Sequence, residues 1–487
     1  MLSNVDILTK EDLERLQAAS YHILDRVGVH VPHNAILERL AEAGATADFD
    51  RQVVRLPQGL VLWAVDRAGK EHTLFGRNPS RQARFGPGSQ LAMSSSGQFA
   101  LVDPIARTRR QPTHEDTVRA IRLAQALPEI DVVGVLAEPA DLPIRGRDVA
   151  AHALLVRHTD KPLAGWLHNG ASARWVLEIL AVAAGGRQAL VARPLTEAFV
   201  EPISPLSFRP EGLDILWLFA EWGLPVGIGP MVMALATGPA TLAGTAALEN
   251  AEILAGIVIS QVLRPGLPVT YWGIPHVMDP ATANICFGAP EQGILAAVMA
   301  QLGRSYGLPV GVNVGLTDSK LPDAQAGMEK SSSLLLGALA GANIFGHLGI
   351  AGADQGACLE QLVIDNEMMG ALRRTLGGLG PLFAPGMGLA VNDESLALDV
   401  IERVGIGGSF LGDVHTRQHY RQEIRLNHLA DRTTWDTWAS AGSQDMLQRA
   451  ASEVDRLLSL PPAPPQPEQE QEIAALLDAA LKELNAA

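Results

Sequence analysis

Five aromatic residues, Trp166, Tyr271, Trp272, Phe287 and Phe345, end or closely follow short apolar runs in a 487-residue chain that is only 5% aromatic. A quaternary ammonium group has no N–H to donate, so proteins hold it by cation–π attraction, about 1–2 kcal/mol per ring face once water is excluded, with a carboxylate nearby. Glu201, at the end of Ala198-Phe199-Val200, is a carboxylate in such a position. His168, His276, His347 and Asn313 occupy comparable positions and can hold a substrate carboxylate through hydrogen bonds. Glu201, Asn313 and His347 are therefore the candidate catalytic residues. Trp166, His168, Tyr271, Trp272, His276, Phe287 and Phe345 are the candidate substrate-binding residues. The same rings would equally pack a core, and Glu201 would equally close a structural ion pair.

Two other chemistries are open to these residues. Lys320, in Thr317-Asp318-Ser319-Lys320, could form a Schiff base and make the chain an aldolase-type lyase, although such a lysine ordinarily lies within a strand and not several residues past it. Pro322 and Asp323 beside it are explained by the start of a helix. Only two cysteines occur, Cys286 and Cys358, and no cysteine–histidine cluster accompanies them, so neither a disulfide framework nor a bound metal is expected.

The elements that must position these groups are legible in the alternation of apolar runs and helical stretches. Eight candidate strands, 98–102, 131–136, 162–167, 198–203, 225–230, 268–274, 309–314 and 343–348, are each followed by roughly 12 to 20 residues of helical pattern. The phrase Gly-Leu-Pro-Val recurs at Gly223, Gly266 and Gly307, with glycine ending a helix and proline opening a strand. This predicts an α/β fold, a (β/α)8 TIM barrel, whose reacting groups sit at the C-terminal ends of the strands. An open doubly wound sheet competes, but no Gly-x-Gly-x-x-Gly follows an early strand. The expected organisation is an N-terminal helical cap or arm over 1–89, beginning with a helix capped by Thr9. A catalytic barrel over 90–376 follows, then a C-terminal helical extension over 377–487 with a Leu460–Pro465 linker and a last helix over 471–484.

Composition narrows the partners. With 38 Lys and Arg against 53 Asp and Glu the formal charge is −15, which disfavours nucleic acid and anionic membranes. The first residues carry no basic segment followed by an apolar one, and no uninterrupted apolar run is long enough to span a bilayer, so a cytoplasmic protein is expected. A non-catalytic binder of quaternary amines would ordinarily be exported.

Several phrases together resemble the trimethylamine methyltransferase family. They are Ala236-Thr237-Gly238-Pro239-Ala240-Thr241 leading into Leu248-Glu249-Asn250-Ala251-Glu252, and Thr317-Asp318-Ser319-Lys320 with Pro322-Asp323-Ala324-Gln325-Ala326. Leu339-Ala340-Gly341-Ala342-Asn343 and Phe410-Leu411-Gly412-Asp413-Val414-His415-Thr416 complete the set. The resemblance implies a barrel enzyme that moves a methyl group from a methylated amine to cob(I)alamin on a separate corrinoid protein, with no cofactor tightly bound by the chain itself. Asp413-Val414-His415-Thr416-Arg417-Gln418 comes nearest to a corrinoid-binding motif and lacks its final glycine. Archaeal members insert pyrrolysine. This chain contains only standard residues and resembles the non-pyrrolysine branch, which includes glycine betaine methyltransferases. The expectation is a homo-oligomeric betaine:corrinoid methyltransferase, with a trimethylamine enzyme as the alternative.

Overall fold

The computed structural model describes residues 4–379, 391–461 and 467–486. Eight parallel strands form its centre: β1 (Leu91–Ser94), β2 (Val133–Gly134), β3 (Leu163–Ala164), β4 (Ala198–Val200), β5 (Val226–Ile228), β6 (Val269–Gly273), β7 (Val310–Val312) and β8 (Ile344–Leu348). A helix follows each: α1 (His114–Ala126), α2 (Arg147–His158), α3 (Gly170–Ala184), α4 (Pro210–Trp222), α5 (Leu242–Leu263), α6 (Pro290–Ser305), α7 (Ala324–Leu339) and α8 (Leu359–Leu379). Strands β4 to β8 pair in sequence and β8 pairs with β1. The circle closes through the Met93–Val132 bridge, the β2–β3 pair and the hydrogen bond from Leu163 N to Leu195 O.

Gly223, Gly266 and Gly307 all take positive φ, which glycine adopts at no steric cost and which turns the chain from helix into strand. The first strand corrects the sequence reading. The apolar run predicts a strand over 98–102, but the barrel uses Leu91–Ser94, which is buried throughout. Leu101–Asp103 instead joins a small sheet with Thr108–Arg110 and Gly356–Ala357.

The first 89 residues are mixed rather than purely helical. Helices Lys10–Arg26, Asn34–Glu42 and Gln58–Arg67 accompany short strands, and Thr9 caps the first helix by accepting from Asp12 N. A hairpin, His72–Phe75 with Gln82–Phe85, covers the N-terminal end of the barrel, tied down by the hydrogen bond from Phe75 N to Pro194 O. Helix α5 is long and apolar enough to cross a membrane by length and composition, yet 78% of its apolar stretch is buried inside this fold.

In the C-terminal extension two short helices, Asp393–Leu396 and Leu398–Val404, meet at Ala397, and the last helix, Pro467–Ala486, packs on α2 and α3 through Arg157–Glu470 and Arg174–Glu483. Most of the Leu460–Pro465 linker lies outside the described residues.

Candidate active site

Alternation along the strands decides what enters the barrel. Glu197, Phe199 and Glu201 share the inner face of β4 and its ends, because Ala198 and Val200 are spent on the outer core. On β6 the inward residues are Thr270 and Trp272. Glycines at 227, 229 and 311 leave room for the Trp272 indole: a Cβ on Gly311 would lie 2.3 Å from Trp272 Cε3.

The rings form a column down the axis. Trp166 meets Phe199 edge-on at 5.4 Å, Phe199 meets Trp272 edge-on at 5.8 Å, and Trp166 stacks against His347 at 6.3 Å between ring centroids. These four residues line one cavity, whose floor is Leu74 and Phe85 of the N-terminal hairpin. Glu197 lines it too. Its Oε1 accepts from Trp272 Nε1 at 3.0 Å and its Oε2 from Thr270 Oγ1 at 2.7 Å. His72 Nε2 lies 3.3 Å from Oε2 but out of line for a hydrogen bond.

Polar groups cluster at the ends of β6, β7 and β8. Asn313 Nδ2 is 3.5 Å from His276 Nε2, and Gln292 Nε2 donates to the Asn313 carbonyl at 3.0 Å. His276 Nδ1, Gln292 Oε1, Asn313 Oδ1 and His347 Nδ1 are shielded from water and lack a hydrogen-bond partner. Unpaired buried polar atoms are costly, so four in one place point to a ligand or bound water. Burial pushes the His276 imidazole down to about 4, which keeps it neutral. Burial also lowers His347, opposed by the carboxylate of Asp354, whose own carboxyl is raised by burial. His347 and Asp354 both hold left-handed backbone, at φ 63° and 64°. Strain of that kind collects at functional sites.

A groove beside the column is lined by Trp166, His168, Phe199, Glu201 and Arg209. Burial raises the Glu201 carboxyl, with Arg209 opposing. His168 is raised by its interaction with Glu138, 3.5 Å away, and its backbone N–H donates to Asp148.

Trp166, His168, Glu201, Trp272, His276, Asn313 and His347 are thus gathered at or below the C-terminal mouth. Phe287 arrives from the loop after β6 and stacks on His276 at 4.5 Å. Two residues belong elsewhere. Tyr271 points outward, where its hydroxyl donates to Asn250 at 2.9 Å and its ring packs against Tyr306. Phe345 is likewise buried in the layer between barrel and helices, since its neighbours Ile344 and Gly346 face inward. A one-residue offset in a strand reverses the side a ring faces. The sequence reading takes Glu201 for its place at a strand end and passes over Glu197 and Phe199, which alternation along β4 puts on the same face. Glu138, Gln292 and Asp354 were not, since only barrel closure and loop folding bring them in.

Lys320 is exposed on the rim and donates to the carbonyl of Asp318, at 2.8 Å, outside the barrel. His415 and His419 stand one helical turn apart, but no group of three or more His, Cys, Asp or Glu that could hold a metal occurs among the described residues.

The profile of the family described as trimethylamine methyltransferase (MTTB) matches residues 1–482. A trimethylamine methyltransferase of Desulfitobacterium hafniense (strain DSM 10664 / DCB-2) is 32% identical, over 97% of this chain and 92% of its own length. A glycine betaine methyltransferase of Desulfitobacterium hafniense (strain Y51) is 31% identical, over 95% of both. A trimethylamine methyltransferase of Methanosarcina acetivorans is 29% identical, over 92% of this chain and 90% of its own length. The fold is shared with the solved hydroxylamine complex of MtmB, at a TM-score of 0.50 and 13% identity over 98% of this chain and 93% of that one. A family match across nearly the whole chain, on a barrel whose mouth gathers rings and carboxylates, leads to one conclusion: the chain belongs to the trimethylamine methyltransferase family.

Proposed function

We propose that this methyltransferase takes a methyl group from a quaternary amine of the betaine type and passes it to cob(I)alamin carried on a separate corrinoid protein. The observation that carries the reading is the aromatic column of Trp166, Phe199 and Trp272 beside an unpaired polar cluster. The rings suit an alkylated cation, which offers no hydrogen bond. The polar cluster suits the other end of the molecule: the shielded Nδ1 of His347 donates to the carboxylate, and Asn313, positioned by His276 and Gln292, lies beside it.

The names of the relatives divide between trimethylamine and glycine betaine, so the donor is argued from chemistry. When a quaternary methyl is transferred, the C–N bond breaks, its electron pair stays on nitrogen and a neutral tertiary amine leaves. A neutral tertiary amine would have to leave as an amide anion unless first protonated. Among standard residues no group captures such an amine, so what the chain supplies is positioning and exclusion of water. Glu201 at the groove supplies negative potential where the cation enters.

The enzyme is further proposed to be a cytoplasmic homo-oligomer that needs neither nucleic acid nor membrane. Free Cys286 and Cys358 favour the compartment, and Leu398, Ile406, Leu411 and Trp435, all strongly exposed on the C-terminal extension, favour subunit contact.

Calorimetric titration of the purified chain tests the site without any corrinoid. Trp166→Ala should weaken both glycine betaine and tetramethylammonium by about tenfold, the worth of one desolvated ring face. His347→Ala should weaken glycine betaine and spare tetramethylammonium, which has no carboxylate. Unchanged affinities in both variants, with the fold intact, would return these residues to packing.

A further inference from the structure

The cavity below Trp166 holds an anion that the proposed reaction has not yet used. Its lining is Leu74, Phe85, Met93, Phe199, Trp272 and other apolar or small groups, with Trp166 and His347 at its upper end, and Glu197 is the one acidic residue among them. Among the described residues no lysine or arginine comes within ion-pair distance of Glu197; its single ionic neighbour is His72, which is charged only when protonated. Thr270 and Trp272 each donate to it, so both of its oxygens are held in place at the chamber wall. A carboxylate kept in a nearly dry aromatic chamber, without a permanent partner, leaves that chamber negative. It is complementary to a cation that brings its own apolar coat.

Resting on the betaine reading above, we infer that Glu197 is the residue that makes the chamber select a methylated cation over a neutral ligand of the same shape. It acts in two ways. Its charge faces the chamber directly, and by accepting the indole N–H of Trp272 it increases the electron density of the ring face presented to the ammonium. The arrangement also fixes the direction of transfer. With the anion beneath and the opening above, one methyl group points out toward the acceptor while nitrogen stays inside.

The kinetic consequence separates this role from a structural one. As the methyl group leaves, nitrogen loses its positive charge, so Glu197 stabilises the bound cation more than the transition state. An interaction of that sort lowers KM without raising kcat.

The test compares glycine betaine with 3,3-dimethylbutanoate, which replaces N⁺ by carbon at the same shape. Wild-type enzyme should bind the betaine at least about tenfold more tightly in calorimetry. In Glu197→Gln that gap should close, with affinity for 3,3-dimethylbutanoate unchanged, KM for the betaine raised, and kcat with cob(I)alamin equal or higher. Glu197→Asp keeps the charge and should keep the preference. His72→Lys supplies the carboxylate with a permanent cation, leaves Glu197 in place and should close the gap too, which covers the case that Glu197→Gln does not fold. A gap that survives in Glu197→Gln and His72→Lys overturns the assignment of Glu197 and leaves the betaine reading standing, as does a loss that affects both ligands and kcat alike. A wild-type enzyme that binds the two ligands equally overturns both.

Discussion

Asp318, in the loop after β7, accepts a hydrogen bond from the backbone N–H of Phe287 at 2.7 Å, and its second oxygen accepts from Gly288 at 3.0 Å. One carboxylate thus clips the β6 loop over His276. The clip is itself anchored, since Thr317 Oγ1 and Asp318 N both donate to Glu329 on α7, at 2.5 and 2.9 Å. Deeper, Lys330 and Asp365 form a fully buried ion pair at 2.9 Å that also bonds Gly315 O and Gly349 N, joining the loops after β7 and β8. The segment that looked like a possible Schiff-base site is a fastening for the mouth.

Asp318→Ala should therefore release the loop carrying Phe287 without unfolding the barrel. KM for the donor should rise about tenfold (~1.4 kcal/mol), less than the ~3 kcal/mol of two charge-assisted hydrogen bonds because only part of the loop's loss of order reaches the bound donor. Protease should cut faster between 279 and 284, where residues 280–284 are largely exposed. Unaltered cleavage and KM would show that the loop holds its position without Asp318.

A second expectation concerns stability against pH. Glu252 on α5 is buried, accepts from Ser204 Oγ and Leu206 N, and is pushed by burial from its ordinary value near 4.5 up to about 7. The folded state then binds this proton more tightly than the unfolded chain, so its contribution is fully present below pH 4.5 and is lost as pH rises through about 7. Glu252→Gln, which cannot ionise, should match wild type near pH 5 and melt higher at pH 8, by about 2 °C for ~2 kcal/mol in a chain of this size. A variant that melts lower at both pH values would mean that the carboxylate is needed where it stands.

How far the sequence could be read follows from which signals are local. Gly223, Gly266 and Gly307 announced helix ends and strand starts, because the residue itself permits the turn, and the eightfold alternation followed. The inward or outward sense of single residues was not local. Tyr271 and Trp272 are adjacent and both aromatic, and only pairing with neighbouring strands shows which enters the barrel. β1 lies earlier than the sequence places it because Leu91–Ser94 offers only three apolar residues running into serines, whereas Phe99-Ala100-Leu101-Val102 is the longer apolar run. Asp354 reaches His347 through a hairpin, and Glu197 reaches Trp272 across two strands, so neither pairing leaves a mark in sequence spacing.

The central claim is that a quaternary methyl group is moved to a cobalt acceptor. The most direct test is to mix the purified enzyme with cob(I)alamin, or with a corrinoid protein carrying it, and to follow conversion to methylcobalamin by absorbance. Glycine betaine, proline betaine, carnitine and trimethylamine are offered at equal concentration. The account predicts methylcobalamin with at least one betaine, none with trimethylamine, and no demethylation when the corrinoid is left out. Trimethylamine as the best donor, or demethylation without any corrinoid, would contradict it.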